Sequence, residues 1–143
     1  MYNGTVLRCW PPNSRKQSLK KILVVDDSAT IRRMVMSALR TVPDVNFDQA
    51  ATGLEAIERL ALSPADLVVL DLNMPDVHGL EVLRFIRSHQ AFQEIPVVIL
   101  TTRGDPDSRT AALRAGATKY LTKPFAPESL VPEIMDLLQS SPK

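Results

Sequence analysis

The segment that decides the fold is KILVVDD, residues 21–27, in which a strand-forming run is followed at once by two carboxylates. The run is short, rich in β-branched residues and does not alternate with polar residues, which predicts a strand that is buried on both faces. Two later segments repeat the pattern, DLVVLD at residues 66–71 and PVVILT at residues 96–101. Strands of this kind form parallel sheets that helices cover on both sides.

Helical patterns alternate with these strands along the chain. The predicted strands lie near residues 21–25, 45–50, 66–70, 96–100 and 118–121, and the predicted helices near residues 29–42, 53–62, 80–88, 106–115 and 127–139. Ser28 can cap the first helix, and Gly116 can end the fourth in a left-handed conformation. The sequence therefore predicts an α/β fold, a doubly wound five-stranded parallel sheet with helices on both faces.

Length and composition exclude several classes of protein. The 143 residues suffice for one domain with a core, and 45% hydrophobic with 23% charged residues is typical of soluble globular proteins. No apolar run approaches the ~20 residues of a membrane span, and the start of the chain lacks the apolar segment of a secretion signal. Cys9 is the single cysteine, which excludes an intramolecular disulfide and, with two histidines, disfavours a zinc site. We expect a cytoplasmic protein.

The net charge of +1 hides an uneven distribution. Residues 1–21 contain five basic and no acidic residues, whereas the remainder contains 12 basic and 16 acidic residues. We predict a flexible basic extension over residues 1–19, one domain over residues 20–140 and a short tail over residues 141–143. The alternative for the extension is an arm that binds nucleic acid or a membrane, which would give strongly salt-dependent affinity.

Polar residues with complementary chemistry follow four of the five predicted strands. Asp26 and Asp27 follow the first strand, Asp71 the third, Thr101 the fourth, and Lys123 lies just beyond the fifth. Ligands of parallel α/β sheets bind beyond the carboxyl ends of the strands, so these side chains should converge. Clustered carboxylates repel one another unless a cation joins them, and oxygen ligands favour Mg²⁺ or a similar ion. The set suits phosphoryl transfer, in which a carboxylate can be the nucleophile.

Each of these residues also has an ordinary structural explanation. An aspartate after a strand commonly caps the next helix, and Asp71 could equally belong to a turn. Thr101 and Lys123 mean little when each is taken alone. The joint occurrence of acids, a hydroxyl and a lysine at four strand ends favours a site over capping.

The motifs resemble those of a known family. Asp-Asp-Ser at residues 26–28, Asp-Leu-Asn-Met-Pro at residues 71–75, Thr101, and Lys-Pro-Phe at residues 123–125 are similar to the receiver domain of two-component response regulators. Asp71 lies 45 residues after Asp26, Thr101 lies 30 residues after Asp71, and Lys123 lies 52 residues after Asp71. These spacings match those of single-domain chemotaxis regulators of the CheY-like type. The resemblance covers about residues 20–140 and implies the flavodoxin-like version of the predicted fold.

The resemblance implies a role for each residue of the acidic site. Asp71 would be the phosphoacceptor, phosphorylated by the phosphohistidine of a sensor histidine kinase. Asp27 and Asp71 would hold Mg²⁺ (or Mn²⁺) directly with the backbone carbonyl of Asn73, and Asp26 mainly through a water. Lys123 would pair with the phosphoryl oxygens.

The resemblance also implies a switch. Thr101 would bond the phosphoryl group and move inward, and Tyr120 would swing into the vacated space. The peptide bond between Lys123 and Pro124 would be cis, which proline makes accessible. The surface formed by the fourth helix, fifth strand and fifth helix would then change shape and bind a downstream protein.

Some positions depart from the family pattern. Asn73 and Arg103, two residues beyond Asp71 and Thr101, would tune dephosphorylation, and Arg103 places a cation where an acid or amide is usual. We expect Arg103 to alter water access, the alternative being a solvated arginine. His78 is expected to cap a helix rather than to catalyse. Pro132 either kinks the last helix or marks the start of its regular part.

The expected function is that of a stand-alone response regulator, not a classical enzyme, in two-component or chemotaxis-like signalling. No DNA-binding region follows the domain, so the output should be contact with a protein. A phosphate sink or shuttle in a phosphorelay is the alternative in this class. From another class, a magnesium-dependent phosphohydrolase with an aspartyl phosphate would usually carry a cap and a nucleophile after its first strand.

Overall fold

The computed structural model describes residues 19–140. The predicted 141–143 tail and, apart from Leu19, the predicted 1–19 extension lie outside the described residues. The strands are β1 (Lys20–Val25), β2 (Val45–Ala50), β3 (Leu67–Leu70), β4 (Val97–Thr101) and β5 (Lys119–Thr122). The helices are α1 (Ala29–Leu39), α2 (Gly53–Leu62), α3 (Gly79–Ser88), α4 (Pro106–Arg114) and α5 (Pro127–Ser140).

The strands form one parallel sheet in the order β2-β1-β3-β4-β5. This order confirms the predicted doubly wound fold. In the register of the sheet, Val25 pairs with Leu70 and Thr101 pairs with Thr122. The carboxyl ends of β1 and β3 are therefore neighbours, and those of β4 and β5 lie side by side.

Alternate residues of each strand face two different cores. One core packs the sheet against α2, α3 and α4, and its strand residues include Leu23, Val68 and Ile99. The other packs the opposite face against α1 and α5, and includes Val24 and Val98. Both faces are apolar, which explains why the strands show no alternation in the sequence.

The first helix departs from its expected bounds, and the last decides between two alternatives that the sequence left open. The first was expected near residues 29–42, whereas α1 ends at Leu39, and the amide of Val42 then donates to the carbonyl of Leu39 in a turn. The turn closes ahead of Pro43, because the residue before a proline is driven out of helical conformation. Helix α5 begins at Pro127 and contains Pro132, so the alternative that its regular part begins near Pro132 is wrong. Pro132 lies on the exposed side of the helix, where water can satisfy the carbonyl left without an amide partner.

Within residues 19–140, no helix has the length and apolar character that crossing a membrane requires.

Candidate functional site

Three carboxylates meet at the carboxyl edge of the sheet. The amide of Asp71 donates to the carbonyl of Val25 over 3.0 Å, which aligns the ends of β1 and β3. One carboxylate oxygen each from Asp26, Asp27 and Asp71 lies within 4.8 Å of the other two. Asp26 and Asp71 are each 4% exposed, whereas Asp27 is exposed. The cluster is thus buried on the sheet side and open to solvent at Asp27.

Lys123 faces the carboxylates from the end of β5. Its Nζ lies 2.7 Å from Oδ2 of Asp26 and 3.5 Å from Oδ2 of Asp71. Its backbone amide donates to the carbonyl of Thr101 over 2.8 Å, and the Lys123–Pro124 peptide bond is cis. One ammonium group opposite three carboxylates leaves an excess of negative charge, which favours a bound cation.

Asp71 has an oxygen with no internal partner. Its Oδ1 is buried and accepts no hydrogen bond from any residue in the described range 19–140. Burial raises the pKa of the Asp71 carboxyl, the ammonium of Lys123 opposes that shift, and the nearby Asp26 adds to it. A buried carboxylate oxygen without a partner is costly, so it marks a position for a ligand. With Asp26 and Asp27 beside it, the donor set is all oxygen and fits Mg²⁺ or Mn²⁺.

Other groups of the protein hold Asp26 in place. The amide of Ser28 donates to Oδ1 of Asp26 over 2.9 Å, and Oγ of Ser28 accepts from the amide of Ile31 as the cap of α1. Nη1 of Arg32 donates to the backbone carbonyl of Asp26 over 2.6 Å, while its Nε donates to Gln49. Sequence reasoning missed Arg32, although its position one turn into the first helix was a usable signal.

Thr101 and Tyr120 lie on the neighbouring strands β4 and β5. Thr101 is fully buried, and its Oγ1 accepts from the amide of Arg103 over 3.4 Å. The Tyr120 side chain is buried, and its hydroxyl donates to the backbone carbonyl of Arg103. The guanidinium of Arg109 lies 5.7 Å from the centre of the Tyr120 ring. The two predicted switch residues are therefore linked through the backbone of Arg103.

Asn73 and Arg103 meet across the mouth of the site. Nη1 of Arg103 donates to Oδ1 of Asn73 over 3.4 Å, and Nε of Arg103 donates to Oγ of Ser108 over 3.1 Å. The side-chain amide of Asn73 contacts Oγ1 of Thr102 at 3.5 Å. Exposed side chains thus bridge the loops that follow β3 and β4.

His78 lies at the start of α3, as the sequence predicted, and within residues 19–140 no hydrogen bond joins its side chain to the carboxylate cluster. Its Nδ1 accepts from the amide of Leu80 over 3.1 Å, so it is the N-cap of that helix. Asp76, two residues earlier, was not singled out in the sequence. Both of its carboxylate oxygens accept hydrogen bonds from the first turn of α2.

Comparisons with known proteins agree with this geometry. The family model described as "Response regulator receiver domain" matches residues 22–135. The chain is 39% identical over 111 residues to the chemotaxis protein CheY1 of Helicobacter pylori, a match that covers 77% of this chain and 90% of that protein.

Solved structures agree as well. A putative response regulator from Chloroflexus aurantiacus matches with a TM-score of 0.79 at 31% sequence identity. The match covers 84% of this chain and 98% of that protein's chain. The Mn²⁺-bound form of response regulator Rcp1 matches with a TM-score of 0.73 at 31% sequence identity, over 85% of this chain and 93% of the Rcp1 chain. The sequence matches, the fold and the carboxylate cluster at the edge of the sheet lead to one conclusion: the chain belongs to the response regulator receiver domain family.

Proposed function

We propose that Asp71 accepts a phosphoryl group from the phosphohistidine of a sensor histidine kinase. A carboxylate oxygen of Asp71 forms the new bond to phosphorus as the phosphorus–nitrogen bond breaks. The imidazole keeps the electron pair of the broken bond and takes a proton from solvent. The observation that carries the proposal is the buried Oδ1 of Asp71, which has no hydrogen-bond partner within residues 19–140, on a side chain that lies beside two further carboxylates and Lys123.

Asp26, Asp27, Asp71 and the backbone carbonyl of Asn73 would hold the Mg²⁺ or Mn²⁺ ion. Such an ion supplies positive charge that neutralises a phosphoryl group. The described geometry supports this set, because the three carboxylates lie within reach of one ion. Rcp1, a response regulator of similar fold, has been solved in an Mn²⁺-bound form, which supports manganese as an alternative to magnesium.

Lys123 and Thr101 would stabilise the phosphorylated form. The ammonium of Lys123, now shared between two carboxylates, would pair with the phosphoryl oxygens, and the hydroxyl of Thr101 would donate to them. Movement of Thr101 would release the contact between the backbone of Arg103 and Tyr120. Phosphorylation would in this way bias an equilibrium between two conformations of the surface formed by α4, β5 and α5.

The downstream partner would be a protein that binds the α4-β5-α5 surface. The similarity to chemotaxis proteins favours a chemotaxis-like pathway. As further parts of the proposal, the protein would act in the cytoplasm and would not bind DNA directly. A phosphate sink or shuttle would use the same acceptor chemistry and differ in the fate of the phosphoryl group.

The test uses the full chain with Mg²⁺ and acetyl phosphate, followed by intact mass spectrometry. We expect one phosphoryl adduct that is absent in Asp71→Asn and in samples treated with a chelator. Asp136→Asn is the control, because it makes the same change on an exposed carboxylate of α5. An adduct that persists in Asp71→Asn would contradict the proposal, and rapid turnover of many phosphoesters without an adduct would favour a phosphohydrolase.

A further inference from the structure

The loop that follows β3, residues 72–78, carries Asn73 and continues directly from Asp71. Its far end is fixed at Gly79, whose amide donates to the carbonyl of Leu72 over 3.1 Å. A Cβ at Gly79 would overlap the backbone oxygen of Asp71 and lie 2.7 Å from Cα of Leu72. The start of α3 therefore packs directly against the backbone of Asp71.

The middle of the loop is bound to a different helix. Oδ1 of Asp76 accepts from the amide of Gly53 and Oδ2 accepts from the amide of Leu54, each over 3.1 Å. The third amide of the same turn, that of Glu55, donates to the helix's own cap, Thr52, over 3.0 Å. Two of the free amides at the start of α2 are thus satisfied from the loop and one by the local cap.

The loop and α2 are also in close steric contact. A Cβ at Gly53 would lie 2.8 Å from Cβ of Val77 and 3.0 Å from the carbonyl oxygen of Val77. Gly53 therefore allows an approach that a larger residue would block. The contact prevents the loop from moving closer to α2, and movement away from α2 would break the hydrogen bonds to Asp76.

The charge of Asp76 suits this contact. Burial by itself would raise the pKa of the Asp76 carboxyl, but hydrogen bonds from backbone amides, led by those of Leu54 and Gly53, together outweigh that effect, so the pKa is lowered. The carboxylate also lies at the positive end of the helix dipole. Hydrogen bonds to an ionised acceptor are stronger than those between neutral groups.

We propose that Asp76 is a positioning residue for phosphoryl transfer. Its carboxylate ties the loop to the first turn of α2 and so fixes Asn73 relative to Asp71. Asp76 acts through the loop backbone and does not touch the phosphoryl group. The role of Asp76 in phosphorylation rests on the proposed function of Asp71. The effect of Asp76 on the loop does not depend on that function.

The chain offers a matched control in Thr52→Ala. Thr52→Ala and Asp76→Ala both remove capping from the first turn of α2, but only Asp76→Ala detaches the loop. We expect Asp76→Ala to slow adduct formation by acetyl phosphate with Mg²⁺ by about tenfold, the low end for residues that support a site indirectly. Thr52→Ala should stay within about twofold of the unmodified chain, since this half-buried cap bonds only its own helix and supports local helix stability. Asp76→Asn keeps one acceptor oxygen and should fall between them.

A second measurement needs neither metal nor phosphodonor. Amide hydrogen exchange of residues 73, 74, 76 and 77 should be faster in Asp76→Ala and unchanged in Thr52→Ala, because only the first variant frees the loop. Equal rates of phosphorylation in the two variants at the same folded fraction, or equal exchange of the loop, would overturn the proposal. Failure of the unmodified chain to form any adduct would instead reject the proposed function. The exchange data would still show whether Asp76 holds the loop in place.

Discussion

Asp71 is the residue at which stability and function oppose each other. Burial, opposed by Lys123 and reinforced by Asp26, raises the pKa of its carboxyl in the folded chain. The stability that this group contributes is therefore complete when the carboxyl is protonated, below its ordinary pKa of about 3.9, and is lost as the pH rises through the raised value. At neutral pH the ionised carboxylate destabilises the fold.

Asp71→Asn should accordingly raise the Tm at about pH 7, because it removes a buried charge but keeps the shape of the side chain. The gain over the unmodified chain should shrink as the pH falls through the raised pKa of Asp71, and it should be smallest below about 4, where Asp71 is largely neutral in both the folded and the unfolded state. Thermal unfolding across this range checks both points. Asp136→Asn, on the exposed side of α5, serves as the control. A gain in Tm that is independent of pH would contradict the explanation.

The same residue predicts an effect of metal on stability. An ion that binds the folded chain through Asp71 and not the unfolded chain raises the Tm as its concentration increases. MgCl₂ should therefore raise the Tm of the unmodified chain and have a much smaller effect on Asp71→Asn. An equal rise in both proteins would indicate that the ion binds elsewhere.

Arg103 spans the mouth of the site, and its side chain bridges Asn73 and Ser108. Removing this bridge opens a path for water to the phosphoryl group. We expect Arg103→Ala to shorten the lifetime of the Asp71 adduct by about two- to tenfold, the range that a hydrogen bond of about 0.5–1.5 kcal/mol supports. The measurement is the decay of the adduct after the phosphodonor is removed. As a control, Arg84→Ala removes an exposed arginine of α3 and should leave the adduct lifetime unchanged. If Arg103→Ala also left the lifetime unchanged, Arg103 would be a solvated side chain without this role.

At the scale of elements, the start of α3 must approach the end of β3 closely. Gly79→Ala would force the helix away from the backbone of Asp71 and should lower the free energy of unfolding by about 1–3 kcal/mol. Gly104→Ala is the control, since a Cβ there meets its nearest neighbour, Cγ2 of Thr122, at an ordinary 3.6 Å. Urea denaturation of both variants checks the difference. Similar stability of the two variants would mean that α3 adjusts without cost.

Sequence reasoning succeeded where one element determines the position of a residue. Asp26, Asp71 and Thr101 follow apolar runs directly, and parallel pairing brings the ends of such runs together whatever the loops do. The contact of Asp76 with α2 was beyond such reasoning, because it joins residues 23 positions apart through the path of a loop. The end of α1 was misplaced for a similar reason, since apolar periodicity continues to Val42 although the chain turns after Leu39.

At the scale of the whole molecule, the sheet separates two cores. Ile86 belongs to the core on the side of α3, and Ile134 to the core on the side of α5, and both are fully buried. Ile86→Val and Ile134→Val should each lower the free energy of unfolding by about 0.5–1.5 kcal/mol. The double variant should lose the sum of the two to within about 0.5 kcal/mol, because the sites share no neighbours. A larger deviation in denaturation experiments would show that the sheet couples the two cores.

The fold as a whole was predictable because its three strongest strands are apolar on both faces, which requires helices above and below them. The assignment of each helix to a face was not predictable, since it depends on the handedness and order of the crossovers. The bridge between Asn73 and Arg103 and the link between Tyr120 and Arg103 arise from this arrangement, which places the loops after β3 and β4 next to each other.

The central position of β1 has a consequence for biosynthesis. The first strand of the chain is flanked by β2 on one side and by β3 on the other. Lys21 at its start is bonded to Asp66, 45 positions later, so one edge of β1 stays open on the ribosome until that stretch has emerged. The acidic ends of β1 and β3 cannot meet before both have emerged, and the pocket around Asp71 also needs Lys123, so a shorter nascent chain cannot assemble it.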